Sequence, residues 1–168
     1  EDINAIRVAA READLVLGCD FVVTGTKKVL ASVKPGETGV VVNTAEVYPG
    51  DFARNPDFSL PSLRIRKALE QAGARELDFI DATGVATALL GNAIAANMFM
   101  MGFAWQKGLI PLSARSLRRA IELNGEAVAM NQSAFDWGRR AAHDPASVAA
   151  IVGPARVATQ ARALSQTL

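Results

Sequence analysis

Six side chains in this sequence have types and positions suited to shared chemistry: Cys19, Asp20, Asn43, Thr44, Asp81 and Thr83. Each lies at or just past the carboxyl end of an apolar run that reads as a strand, namely Asp14–Gly18, Gly39–Asn43 and Leu77–Asp81. In an open α/β sheet, ligands sit outside the carboxyl ends of the strands. A thiol, an amide, two hydroxyls and two carboxylates would then surround one crevice and could orient a small ligand by hydrogen bonds. Beside a helix start, the Cys19 thiolate would also be favoured by the helix dipole. The same residues have plainer readings. Asp20 and Thr83 suit helix caps, Asn43 and Thr44 suit a strand end, and Cys19 suits a small buried apolar position.

Other reactive types are scarce. His143 follows Arg139 and Arg140 and precedes Asp144-Pro145, a setting that fits the end of a helix better than a catalytic base. Asn97 and Asn131 fall within apolar faces, so each needs a hydrogen-bond partner and is expected to cross-link helices. One cysteine and one histidine in the whole sequence exclude an internal disulfide and argue against iron–sulfur or zinc ligation. No G-x-G-x-x-G follows a strand and no G-x-x-x-x-G-K-[ST] occurs, which leaves a nucleotide phosphate cradle unsupported. With 18 basic and 17 acidic residues the net charge is +1, too small a field to draw nucleic acid or anionic lipid. The first residues lack the basic start and apolar run of a secretory signal, so a cytoplasmic setting is expected.

The elements that must position these residues are legible from periodicity. At 168 residues and 50% apolar composition the chain suits one domain with a real core. Asp2 is placed to cap a first helix carrying Ile3, Ile6, Ala10 and Ala13. Asp20 would cap a second with Val29, Leu30 and Val33, weakened by Gly25 and the β-branched Val22, Val23 and Thr24. A Pro35-Gly36 turn follows, then a long loop from Ala45 to Pro56. Ser59 or Ser62 opens a helix through Ile65, Leu69 and Ala72 that Gly73 closes. Three short strands separated by helices predict a parallel sheet covered on both faces.

After Asp81 the pattern is all helix, and from Ala82 to Gln106 no residue is charged. Such a run is either a membrane span or a helix system buried on nearly all sides. Gly91-Asn92 divides it, with Asn92 placed to cap a helix from Ala93 to Lys107 that ends on Gly108, too short to span a bilayer. Asn92 and Asn97 would also be costly in lipid. Ile94, Met98, Met101 and Trp105 form one stripe of that helix, and Ala96, Phe99, Met100 and Phe103 fill another, so burial on two faces is expected, one inside this domain and one against another domain or chain. Ser113 caps the next helix, with Leu117 and Ile121, up to Gly125. A last long helix carries Ala127, Met130, Asn131, Ala134, Phe135, Gly138 and Ala142 along one stripe. Beyond Asp144 the pattern gives one helix and a break at Gly153-Pro154.

The segments Asp78-Phe-Ile-Asp-Ala-Thr83, Leu89-Leu-Gly-Asn92, Asn97-Met-Phe-Met-Met-Gly102, Trp105-Gln-Lys-Gly-Leu109, Glu122-Leu-Asn-Gly125 and Gly138-Arg-Arg-Ala-Ala-His143 occur in that order. Together they resemble the gamma domain of 2-oxoacid:ferredoxin oxidoreductases, in particular the large fused indolepyruvate ferredoxin oxidoreductases. The likeness runs from about Ile3 to Pro145. It implies a Rossmann-like α/β fold, a three-layer parallel sheet with a helical C-terminal half, over residues 1–145, with 146–168 as tail or linker. The family's Gly-rich first strand and turn have no counterpart, so the sheet is expected to be incomplete at its N-terminal strand and the chain to be a fragment.

The resemblance further implies an enzyme that oxidatively decarboxylates a 2-oxoacid such as indolepyruvate to an acyl-CoA, with ferredoxin as acceptor. Thiamine diphosphate, magnesium and iron–sulfur clusters would belong to its remaining domains. This chain has no G-D-G with a downstream Asn for thiamine diphosphate and no cysteine cluster. It is expected to hold no cofactor, to carry no catalytic residue and to be inactive alone. The implied partners are the thiamine-binding domains or subunits, ferredoxin through the whole enzyme, coenzyme A at the crevice and a second copy of the chain. A small-ligand-binding regulatory domain and a purely structural assembly module are the other readings open to the same residues.

Overall fold

The computed structural model describes residues 8–45, 62–153 and 159–160. Three parallel strands, β1 (Leu15–Gly18), β2 (Gly39–Asn43) and β3 (Glu76–Ile80), lie side by side in chain order. A short β4 (Thr159–Gln160) adds antiparallel to β3. On the outer side of β1 no described strand pairs, so the sheet is open at that edge.

Period-2 alternation sorts the strand residues onto two faces. Val40, Val42, Leu77 and Phe79 pack with Phe21, Ile65 and Leu69, so the crossovers α1 (Phe21–Thr24), α2 (Lys27–Ser32) and α3 (Ser62–Gln71) cover one face. Val41 and Ile80, with Leu15 and Leu17, pack on the other face beneath the helical half. This is an α/β, Rossmann-like arrangement in three layers, and every residue of β2 is buried, as befits its central place.

The second covering layer consists of α4 (Ala82–Leu90), α5 (Ala96–Gln106), α6 (Ala114–Asn124), α7 (Val128–His143) and α8 (Pro145–Val152). The uncharged run does break at Gly91, which adopts a left-handed φ of 69°. Asn92 then caps a 3-10 turn, Ala93–Ala95, by accepting from the Ile94 N–H, and α5 begins only after it. Phe99, Met100 and Phe103 of α5 are fully buried against the sheet, while Met98, Met101 and Trp105 are partly covered by Leu117 and Ile121 of α6. Both stripes of α5 thus find cover within this chain, from the sheet and from α6, whereas Ile94, ahead of α5, is 75% exposed. No helix among the described residues is long and apolar enough to cross a membrane.

The closest contact in the fold is between α5 and α7. A methyl on Gly102 would overlap the Phe135 carbonyl oxygen, and one on Gly138 would overlap the Phe99 carbonyl oxygen. Each helix therefore offers a glycine where the other's backbone arrives, and the pair packs at a distance no larger residue permits. α8 adds to the same layer through Val148, which is buried with Ala141.

Several expectations need correction. No helix runs through Ala10 and Ala13: residues 10 and 11 form a turn, Arg11 has φ 61°, and Ala13 bridges Val33 beside β1. Ile3 and Ile6 lie outside the described residues, as do Ser59 and most of the Ala45–Pro56 loop. The helix after Asp20 is two short pieces, parted at Gly25-Thr26 where propensity was weakest, and Val33 leaves the helix to join that bridge. Ala127 stands before α7 at φ 44° and is exposed. Asn97 is exposed, and Asn131 donates to the carbonyl of nearby Glu126, so neither links two helices. Both sit where a helix turns one side to water, a boundary the apolar stripe alone did not reveal.

Candidate functional site

The carboxyl ends of the three parallel strands converge as the spacing predicts, and Asn43 is the residue that ties them. Its Nδ2 donates to the Cys19 carbonyl at 3.1 Å and to the Thr83 hydroxyl at 2.9 Å. Its Oδ1 accepts from the Ala82 N–H at 3.1 Å and the Ala45 N–H at 3.2 Å. An asparagine amide has two donors and two acceptor lone pairs, and here all four are engaged. Asn43 is buried, so these bonds meet little competition from water. The β1–α1 junction, the end of β2 and the start of α4 are thereby fixed to one another.

The other five residues take distinct places around this hub. Asp20 caps α1 by accepting from the Val23 N–H at 2.8 Å, and Asp81 caps α4 by accepting from the Gly84 N–H at 2.8 Å. Gly84 is needed there because a side chain would overlap the Asp81 carboxylate. Asp81 thus begins a helix instead of ending β3, one residue away from the strand boundary the sequence suggests. Thr44 continues the β2 direction, its N–H donating to the Ile80 carbonyl at 2.9 Å. Thr83 accepts from Asn43 and sits in the first turn of α4.

Cys19 is exposed and free, not a buried apolar residue. Although the residue as a whole faces solvent, its surroundings are dense enough for burial to raise the thiol pKa. α1 is only four residues long, and its dipole does not offset that effect. The crevice therefore presents a thiol, not a thiolate, next to two hydroxyls and two carboxylates.

A second polar centre, not among the residues singled out above, lies at the opposite end of the sheet. Asp78 points to the α5 side of β3 and is nearly fully buried. Lys107, at the end of α5, pairs closely with Glu76 and stands 3.4 Å from Asp78 Oδ2. That last contact is poorly aligned, so Oδ2 accepts no well-formed hydrogen bond among the described residues and Lys107 acts on it chiefly through charge. Burial pushes the Asp78 carboxyl up, Lys107 opposes this, and Glu76 reinforces it. For Lys107 burial acts to lower the pKa, but the bond to Glu76 and the attraction of both carboxylates outweigh it and leave the ammonium raised. The signal was available in Leu77-Asp78-Phe79-Ile80, where strand alternation puts a charge on the same side as Ile80.

His143 ends α7 and is exposed, with Asp144 turning the chain into α8 by accepting from the Ser147 N–H. Among the described residues no three His, Cys, Asp or Glu side chains converge as a metal site would require. A single thiol and a single imidazole do not fit an iron–sulfur cluster.

The family model described as pyruvate ferredoxin/flavodoxin oxidoreductase matches residues 1–141. The chain belongs to that family. No curated protein and no solved structure gives a match. The matched stretch takes in the whole parallel sheet, the Asn43 hub and nearly all of α7.

Proposed function

We propose that this chain is the gamma-type accessory domain of a 2-oxoacid:ferredoxin oxidoreductase, with indolepyruvate or a similar aryl 2-oxoacid as substrate. The observation that carries this reading is the family match over residues 1–141, joined to the ordered segments from Asp78 to His143. The whole enzyme would convert the 2-oxoacid and coenzyme A to carbon dioxide and an acyl-CoA while two electrons pass to ferredoxin. Thiamine diphosphate, magnesium and iron–sulfur clusters would reside in neighbouring domains. In that setting this domain packs against the thiamine-binding part and lines its entrance.

The crevice chemistry refines the role. Two carboxylates, two hydroxyls and a neutral thiol suit the amide-bearing arm of coenzyme A better than its phosphates, which Asp20 and Asp81 would repel. The structural-module reading draws support from the saturated Asn43 amide, since a residue with every valence engaged inside the chain offers none to a ligand.

The test is reconstitution. Enzyme assembled with this domain should reduce ferredoxin with indolepyruvate and coenzyme A, and should favour that substrate over pyruvate. Coenzyme A should slow amide exchange at residues 19–20, 43–45 and 81–83. Full turnover by the other components in its absence would rule out the accessory role. Full dependence on the domain without exchange protection would leave it a structural module.

A further inference from the structure

One ammonium, that of Lys107, faces two carboxylates that are not alike. The Asp78 side chain is 4% exposed and the Glu76 side chain 22%. Lys107 Nζ nevertheless pairs closely with Glu76 and stands 3.4 Å from Asp78 Oδ2, which accepts no hydrogen bond among the described residues. The better-hydrated carboxylate thus holds the cation, and the buried one goes without. An ionised carboxylate buried in that way is strongly unfavourable, and such a group takes up a proton instead. With Asp78 neutral the arrangement is the expected one, because Lys107 then faces a single ion and pairs with it.

The surroundings of Asp78 offer no other cation. Glu76 and Ile80 share its side of β3, Val41 is its partner on β2, Gln160 is its partner on β4, and Leu15 and Leu17 of β1 pack on the same face. Among the described residues, Lys107 and Glu76 are the charges that act on it. Lys107 itself caps α5, where its N–H bonds to the Phe103 carbonyl and Gly108 turns the chain at φ 77°. Its backbone is therefore fixed, while the four-carbon stem rotates freely enough to carry the ammonium from one carboxylate to the other.

We propose that Asp78, Lys107 and Glu76 form a proton-operated latch at the base of the sheet. While Asp78 carries a proton, Lys107 clamps Glu76. As pH rises the proton leaves Asp78 for water, Lys107 crosses to the new carboxylate, and Glu76 is released as a free surface charge. Burial holds the Asp78 carboxyl up, Lys107 opposes this and Glu76 adds to it, so the crossing falls above the ordinary value of 3.8. The two end states differ in which carboxylate is paired, and α5 need not unwind between them.

The experiment is a pH titration of the 168-residue chain, followed by NMR at the side-chain carboxyl carbons of Asp78 and Glu76 and at the ε-carbon of Lys107. Asp78 should titrate above 3.8, with an inflection at the same midpoint in the Lys107 and Glu76 signals. Glu76→Gln should lower the Asp78 midpoint by about one pH unit, since Lys107 then serves Asp78 alone. Asp78→Asn should remove the shared inflection from Lys107 and Glu76. Amide spectra over α5 and α7 report whether each variant folds, and the wild-type titration decides by itself if one does not. An Asp78 midpoint at or below 3.8, or Lys107 and Glu76 signals that ignore it, would overturn the latch. A midpoint unmoved in folded Glu76→Gln would do the same.

Discussion

The α5–α7 crossing and the strand-end crevice hold the same domain together by different means. At the crossing, Gly102 and Gly138 let two backbones touch, and nothing polar is involved beyond the carbonyls that fill the space. At the crevice, contact is made by direction: one buried amide satisfies four groups on three elements. Packing by shape tolerates any change that keeps volume, and packing by hydrogen bonds tolerates any change that keeps donors and acceptors. The two regions should therefore fail under different substitutions.

The largest effect is expected at the crossing. Gly138→Leu should lower stability by about 3 kcal/mol or more, because the side chain meets the Phe99 carbonyl and the start of the next turn, which cannot yield without separating the helices. Even Gly138→Ala should shift the denaturant midpoint measurably. An unchanged midpoint for both would mean that the helices do not approach as closely as described.

A smaller effect is expected at the hub. Asn43→Ala leaves the buried Ala82 N–H without its acceptor and the Cys19 carbonyl without its donor, at a cost of about 2 kcal/mol. Asn43→Asp keeps the acceptor and loses the donors, so it should recover only part. Amide exchange at Ala82 should rise in both, and protection equal to wild type would show that the hub does not bind the three elements.

The smallest effect is at the buried charges below the sheet, and it depends on pH. The folded chain holds the Asp78 proton more firmly than the unfolded chain, whose carboxyl keeps the ordinary value of 3.8. The associated stability is full below that value and is lost as pH rises through the folded pKa. Lys107 has the same sign: its contribution is full below the ordinary ammonium value of 10.5 and is lost as pH rises through the still higher folded one. Asp78→Asn should therefore be tolerated better at neutral pH than in acid, relative to wild type. A stability difference between the two that stays constant with pH would contradict this account of Asp78.

The contrast also explains what was legible in the residues. β2 and α6 could be read from end to end, because Gly39–Asn43 is uniformly apolar up to its polar stop and Ser113 and Gly125 bracket a strongly amphipathic helix. That the three strand ends lie together was legible from topology alone, since parallel strands bring those ends together whatever the side chains do. The Asn43 hub was not, because three of its partners are backbone groups and the fourth is the Thr83 hydroxyl, and only the folded chain brings them within reach. Gly138 was placed on the apolar stripe of α7, but which carbonyl it and Gly102 face depends on the crossing of two helices. Helix boundaries failed where local and tertiary preferences compete: Asn92 caps as expected, yet the first turn tightens before α5 settles.

The saturated amide of Asn43 has one further consequence. Reversing its nitrogen and oxygen would set donor against donor or acceptor against acceptor at the three backbone contacts, the Thr83 hydroxyl alone being able to serve either way, so only one orientation of the side chain is compatible with the fold. The polarity of the crevice floor is consequently set during folding, before any ligand arrives. A molecule entering there has no amide to rotate and no backbone to order, and binding at a preorganised surface forgoes that entropic penalty.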